Sequence, residues 1–152
     1  MKILVDADSC PREARDMILR FSSRLGIKII FAANRNIPGL PDTAVMELCS
    51  TEEGAADRRI EELSSPGDLV LTRDVPLAEK LVIKDVRVID DRGRVFTKEN
   101  IKELRSLRDF MVDLADKGLE YTRTRSYGKK ELNNFANSLD RELVKLGAES
   151  RR

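Results

Sequence analysis

Short, wholly apolar runs alternate along the chain with stretches of helical period, and this rhythm predicts most of its elements. Residues 2–6 (KILVD) form an apolar run ending in acid. Pro11 then opens a segment whose Ala14, Met17, Ile18, Phe21 and Leu25 recur at helical spacing, closed by Gly26. Residues 27–33 read as a second buried strand, 34–41 as an irregular loop with Asn, Pro and Gly, and 43–49 as a third strand. Ala56, Ile60 and Leu63 line a short helix broken by Pro66 and Gly67; residues 68–72 (DLVLT) are a fourth strand, with another helix from about Val75. Residues 86–89 make a fifth strand and 91–94 a turn. A long helix then carries Ile101, Leu104, Leu107, Met111 and Leu114 on one stripe as far as Gly118. After a basic connector over 119–130, a last helix turns Leu132, Phe135, Ala136, Leu139 and Leu143 toward the core, and the tail beyond Gly147 is expected to fray.

Strands that are apolar throughout and alternate with helices indicate a mainly parallel sheet covered on both faces, with right-handed crossovers. The expected fold is therefore a doubly wound α/β domain over residues 1–147, with C-terminal helices and a short frayed tail at 148–152. In such sheets ligands bind beyond the carboxyl ends of the strands, where strand order reverses. Asp6 and Asp8 leave the first strand, Asp74 leaves the fourth, and Asp57 opens the helix after the third. Three separate stretches thus bring acids to one edge.

Each acid also has a purely structural reading. Asp8 or Ser9 can cap the first helix, Asp74 the next, and Asp57 can favour the positive end of its own helix. Together they are harder to explain that way, because two like charges ~4 Å apart repel by about 4 kcal/mol at an effective dielectric near 20. A cation removes that penalty. Mutual repulsion should otherwise raise at least one of their pKa values.

Composition narrows the chemistry. The chain has no histidine, which removes the commonest general base, the serine-type triads and the usual zinc ligands. Two cysteines, Cys10 and Cys49, are too few for a disulfide framework and read as free thiols. Cys10, near a helix start, is either a nucleophile of lowered pKa or a buried inert thiol. Oxygen-only ligands suit Mg²⁺ or Mn²⁺, ions that activate water and neutralise charge on a phosphoryl oxygen, so phosphodiester hydrolysis is the natural chemistry for the set. With 28 Lys and Arg against 27 Asp and Glu, no global field draws the protein to nucleic acid or membrane. The longest apolar stretch, 29–33, is far too short to span a bilayer, and Met1 leads straight into a strand, so a cytoplasmic protein is expected. Within the connector, Arg123, Arg125, Tyr127, Lys129 and Lys130 interleave aromatic and basic side chains, a pattern that either binds RNA or forms a solvated loop.

VDADSCP at 5–11, AADRRI at 55–60, GDLVLTRDVPLA at 67–78, RGRVFT at 92–97, LRDFM at 107–111 and FANSLDREL at 135–143 carry a resemblance along nearly the full length. In these stretches the chain resembles the uncharacterised YaiI/YqxD family of bacterial proteins, whose fold is related to the PIN and NYN nuclease domains. The resemblance implies that Asp6, Asp8, Asp57 and Asp74 match the family's acidic positions, and PIN-like nucleases use comparable acids to bind Mg²⁺ or Mn²⁺. It departs from the family's usual pattern at Gly54, where an Asp is common, at Arg73, where a small residue is common, and at Asp90-Asp91, which replaces Asn-Pro.

Two other readings stand beside a metal-dependent nuclease. A haloacid-dehalogenase-like phosphatase would use Asp6 as nucleophile, with Thr72, Lys80 or Lys84, and Asp90-Asp91 mimicking its other motifs; against it, Pro11 starts a helix where that family places a β-hairpin flap. A non-catalytic domain would bind RNA or a protein through the same surfaces. Oligomeric state is not legible in these residues.

Overall fold

The computed structural model describes residues 1–118 and 126–147. Its elements run β1 (Lys2–Asp6), a 3₁₀ turn (Ala7–Ser9), α1 (Arg12–Leu25), β2 (Lys28–Ala33), β3 (Ala44–Leu48), α2 (Ala55–Leu63), β4 (Leu69–Leu71), α3 (Val75–Ile83), β5 (Arg87–Ile89), β6 (Val95–Phe96), α4 (Ile101–Asp116) and α5 (Lys129–Lys145). One six-stranded sheet, ordered β3-β2-β1-β4-β5-β6, is parallel except for the last pair. The expected doubly wound α/β architecture is thus present. The sixth strand, only two residues long, carries no periodic signal to reveal it; it folds back antiparallel through the Asp91–Arg94 turn, with Ile89 opposite Val95.

Alternation along the strands builds two cores. Ile3 and Val5, Ile29 and Phe31, and Leu69 and Leu71 face α1 and α5, where they meet Ile18, Phe135 and Leu139. Leu4, Ile30, Val70 and Val88 face the other way, onto Ile60 of α2, Leu77 and Leu81 of α3 and Ile101 of α4. Burying both faces explains why these strands read as continuous apolar runs. Gly26, in the left-handed region at φ 68°, ends α1 as anticipated.

The stripe on α4 is only partly covered. Of the long apolar stripe on α4, only Ile101 is buried and only Leu104 of the rest packs against a core; Leu107 is 55% exposed. The helix lies at the sheet's margin against α3 and outruns the surface it covers. Residues 119–125 of the connector and the 148–152 tail, including the candidate base-binding Arg123 and Arg125, lie outside the described residues. Among the described residues no helix is long and apolar enough to cross a membrane.

Candidate functional site

The order of the strands reverses between β1 and β4, and here the register does the first positioning. Val5 pairs with Leu71, so the next residues, Asp6 and Thr72, emerge side by side at the carboxyl ends of their strands. Leu4 and Val70 point toward α2 and α3, and the two-residue period turns Asp6 and Thr72 to that same face. Thr72 is fully buried; its hydroxyl donates to Asp6 Oδ2 at 3.0 Å and accepts the Asp74 N–H at 3.0 Å. Asp74 in turn caps α3, its Oδ1 accepting the Leu77 N–H at 2.9 Å, with Pro76 in the first turn. One buried hydroxyl therefore ties two of the acids together.

Asp57 reaches the same place from α2. That helix starts from Gly54, whose φ of 78° favours glycine. From its first turn Asp57 meets Asp74 across a cleft of about 250 Å³ between α2 and α3, which Glu61 and Lys80 also line. Burial raises the Asp57 pKa, and its hydrogen bond to Asp74 and the charges of Asp74 and Asp6 raise it further, to about 7 against the opposing pull of Lys80. Asp6 is raised as well: burial contributes most, with Asp74 and Asp8 adding repulsion against the Thr72 and Ser9 hydroxyls. The expected effect of crowded carboxylates is thus visible in two of the four.

Asp8 has a different employment. It sits on the 3₁₀ turn, accepts the Asn34 N–H at 3.0 Å and faces Arg35 at 4.0 Å, clamping the loop after β2, while its charge still reaches Asp6. Neither Asp8 nor Ser9 caps α1; that helix begins after Pro11 with no side-chain cap. The structure therefore gathers Asp6, Asp57 and Asp74 and leaves Asp8 at their margin. The donors suit a hard divalent cation, all being carboxylate oxygens. Among the described residues, however, no three Asp, Glu, Cys or His side chains already converge as a finished metal cage. The close contact is between Asp57 and Asp74, and it adds to burial in raising the Asp57 pKa.

On the far side of the edge, the end of β4 meets the turn after β5. Arg73 Nε donates to Asp91 Oδ2 at 2.7 Å and joins the two. Tyr127 donates its hydroxyl to the Asp91 carbonyl at 2.6 Å and packs against a core, so its ring serves as an anchor. Lys129 is exposed on the first turn of α5. Lys130 lines an open cleft of about 650 Å³ with Arg92, Arg94, Asn134 and Arg141. By sequence, Arg92 and Arg94 belong to a turn and to the RGRVFT stretch, with no sign of a cleft. The local signal is the glycine between them: Gly93 has φ 89°, and a Cβ there would stand 2.5 Å from the Asn134 carbonyl oxygen, so the turn lies tight on α5. Cys10 is the inert thiol of the two readings, since burial and Asp91 push its pKa up to about 12.

Fold and site together define a doubly wound α/β protein with crowded carboxylates at the switch point of its sheet. The chain belongs to the uncharacterised YaiI/YqxD family, whose profile matches residues 4–145. A UPF0178 protein of Treponema denticola is 49% identical over 145 residues, covering 95% of this chain and 93% of the relative. UPF0178 proteins of Syntrophobacter fumaroxidans and Myxococcus xanthus are each 43% identical, with 95% and 96% of this chain and 95% and 96% of their own lengths covered, respectively. No solved structure matches the chain.

Proposed function

We propose that this protein is a cytoplasmic, divalent-cation-dependent phosphodiesterase of the PIN-like type, with RNA as its substrate class. Asp6, Asp57 and Asp74 would hold Mg²⁺ or Mn²⁺, and Asp8 would add charge from the margin. The observation that carries the reading is the Asp57 carboxyl, raised to about 7 by burial and by Asp74 and Asp6, at the point where doubly wound sheets bind ligands. Such repulsion costs stability unless a proton or a cation relieves it. When bound, a divalent ion supplies activated water and neutralises charge on a phosphoryl oxygen. The chain's own contributions are orientation by Thr72, which fixes Asp6 and the Asp74 backbone together, and Lys80, the cation beside Asp57.

Arg92, Arg94, Lys130 and Arg141 outnumber Asp90 and Glu131 in the open cleft at the Gly93 turn, an excess of positive charge that favours a polyanion over a small phosphomonoester. The phosphatase alternative lacks support at its distinguishing feature, because the 3₁₀ turn passes through Cys10 and Pro11 directly into α1 with no hairpin between. Incubation of the pure protein with a mixed RNA pool tests the proposal. Cleavage should require Mg²⁺ or Mn²⁺ and vanish in Asp6→Asn. A phosphomonoesterase activity lost in the same variant would favour the phosphatase, and no turnover under any metal would favour a binding domain.

A further inference from the structure

α4 carries an apolar stripe that the fold does not use. Leu107, Phe110, Met111 and Leu114 follow the i, i+3, i+4, i+7 spacing of a single helical face. Ile101 and Leu104 anchor the start of the helix to the core, and Arg105 bonds Glu79 of α3 at 3.0 Å. Beyond them Leu107 and Phe110 are 55% and 57% exposed, Met111 and Leu114 are half-buried, and none of the four belongs to either core of the described residues. Two large apolar side chains, adjacent on one face and more than half exposed, make a patch of the kind that marks an interaction site.

The charges on the same helix indicate what covers it. Residues 101–108 contain Lys102, Arg105 and Arg108 against Glu103, whereas 109–116 contain Asp109, Asp113 and Asp116 and no cation. Arg105 and Arg108 meet Asp109, and Lys117 meets Asp113, in exposed pairs along the helix's own surface, yet the two halves keep opposite net charge. That residual asymmetry suits an antiparallel neighbour of the same sequence, in which each positive half lies along a negative half. Glu103, Phe110 and Lys117, spaced seven apart, form one margin of the stripe. When two such helices run antiparallel about Phe110, each Glu103 lies beside the partner's Lys117 and the two Phe110 side chains meet on the axis.

We propose that α4 is a homodimerisation surface, on which a second copy of this chain lays its own α4 antiparallel about a twofold axis near Phe110. The contact is isologous, as twofold pairing requires, and closes on itself without leaving a free patch. A 16-residue helix is only about 24 Å long, so the interface falls at the low end of specific interfaces and its affinity in the micromolar range.

Sedimentation velocity on the full chain from low to several hundred micromolar should show a reversible monomer–dimer equilibrium. Phe110→Asp should weaken it at least a hundredfold without altering circular dichroism or, at concentrations where both chains are monomeric, the melting temperature, because that side chain is exposed in the monomer. Orientation is read by a short bismaleimide in a Cys10→Ala, Cys49→Ser background. Phe110→Cys should cross-link to itself, and a mixture of Glu103→Cys and Lys117→Cys chains should cross-link to each other. Lys117→Cys alone should not, since its two copies would lie about 21 Å apart along the helix axes. A chain that stays monomeric throughout, or a 117-to-117 cross-link, overturns the proposal.

Discussion

Both ends of the β1–β4 pair carry a buried carboxylate, and they are treated oppositely. At the amino end Asp68 accepts the Lys2 ammonium at 2.7 Å, the Lys2 N–H at 3.1 Å and the Ser65 N–H at 2.9 Å. Burial alone would raise its pKa, but Lys2 and the backbone donors bring it below the usual value. At the carboxyl end Asp6, Asp57 and Asp74 stand together with a hydroxyl and one opposing lysine, and Asp6 and Asp57 are raised. The same residue type on the same two strands is a satisfied ion pair at one end and an uncompensated cluster at the other. Asp68 is matched by the chain's own lysine and backbone donors; under the proposed function the cluster takes its cation from outside.

The largest expected effect separates the two ends by activity. Under the proposed function, Asp6→Asn or Asp74→Asn should lower the rate of metal-dependent RNA cleavage at least about a hundredfold, roughly 2.7 kcal/mol of barrier stabilisation. Asp68→Asn should leave that rate unchanged and cost about 2 kcal/mol of folding stability, measured by urea denaturation, because Lys2 loses its partner. Equal rate losses at both ends would break the comparison.

Metal should act on one end alone. At pH 8, a cation at about a hundredfold excess over its Kd should stabilise the wild type by about 2.7 kcal/mol, read as a rise in melting temperature. Asp57→Asn should lose most of that gain and Asp68→Asn none of it. A melting temperature indifferent to both Mg²⁺ and Mn²⁺ at this pH would sink the metal reading.

The two ends should also respond to pH with opposite sign. Asp57 has a folded pKa raised above its ordinary 3.8 to about 7, so its contribution is fully present below the lower value and lost as pH rises through the upper. Allowing for solvent screening of a half-exposed group, that loss amounts to about 1–2 kcal/mol without metal, and Asp57→Asn should flatten it. Asp68 is lowered, so its stabilisation is present above 3.8 and disappears as pH falls through its folded value. Denaturation midpoints from pH 3 to 9 in chelator check both limbs.

The smallest effect falls on the link inside the cluster. Thr72→Val keeps the volume but deprives Asp6 and the Asp74 N–H of their shared partner, for a loss of about 1 kcal/mol and a further rise in the Asp6 pKa. Chemical shifts of the Asp6 carboxyl followed against pH would show the rise. An unmoved titration would remove Thr72 from any positioning role.

Much of this was legible in the residues. Apolar runs ending in acid marked β1 and β4, and Asp74 followed by Pro76 announced both a helix start and its cap, because capping depends on atoms only three residues apart. β6 escaped notice because two residues carry no period. Asp8 leaves the same strand as Asp6, but its bond to the Asn34 N–H joins residues 26 apart, which no local pattern reveals. The basic cleft was half seen, through Lys130, since Arg92, Arg94 and Arg141 meet it only when the Gly93 turn rests on α5.

The sequence by itself determined which segments become strands and helices, β6 apart, and that Asp6 and Asp74 stand at or just past the ends of two strands, since both follow from local periodicity and chain direction. Only the tertiary structure decided that those strands are neighbours, that Thr72 bridges them, and that Asp57 closes on Asp74 from another helix. It alone decided, too, that Leu107 and Phe110 of α4 stand exposed. An amphipathic pattern states that an apolar face needs a partner, and pairing between distant segments decides whether that partner is the chain's own sheet or a surface outside it.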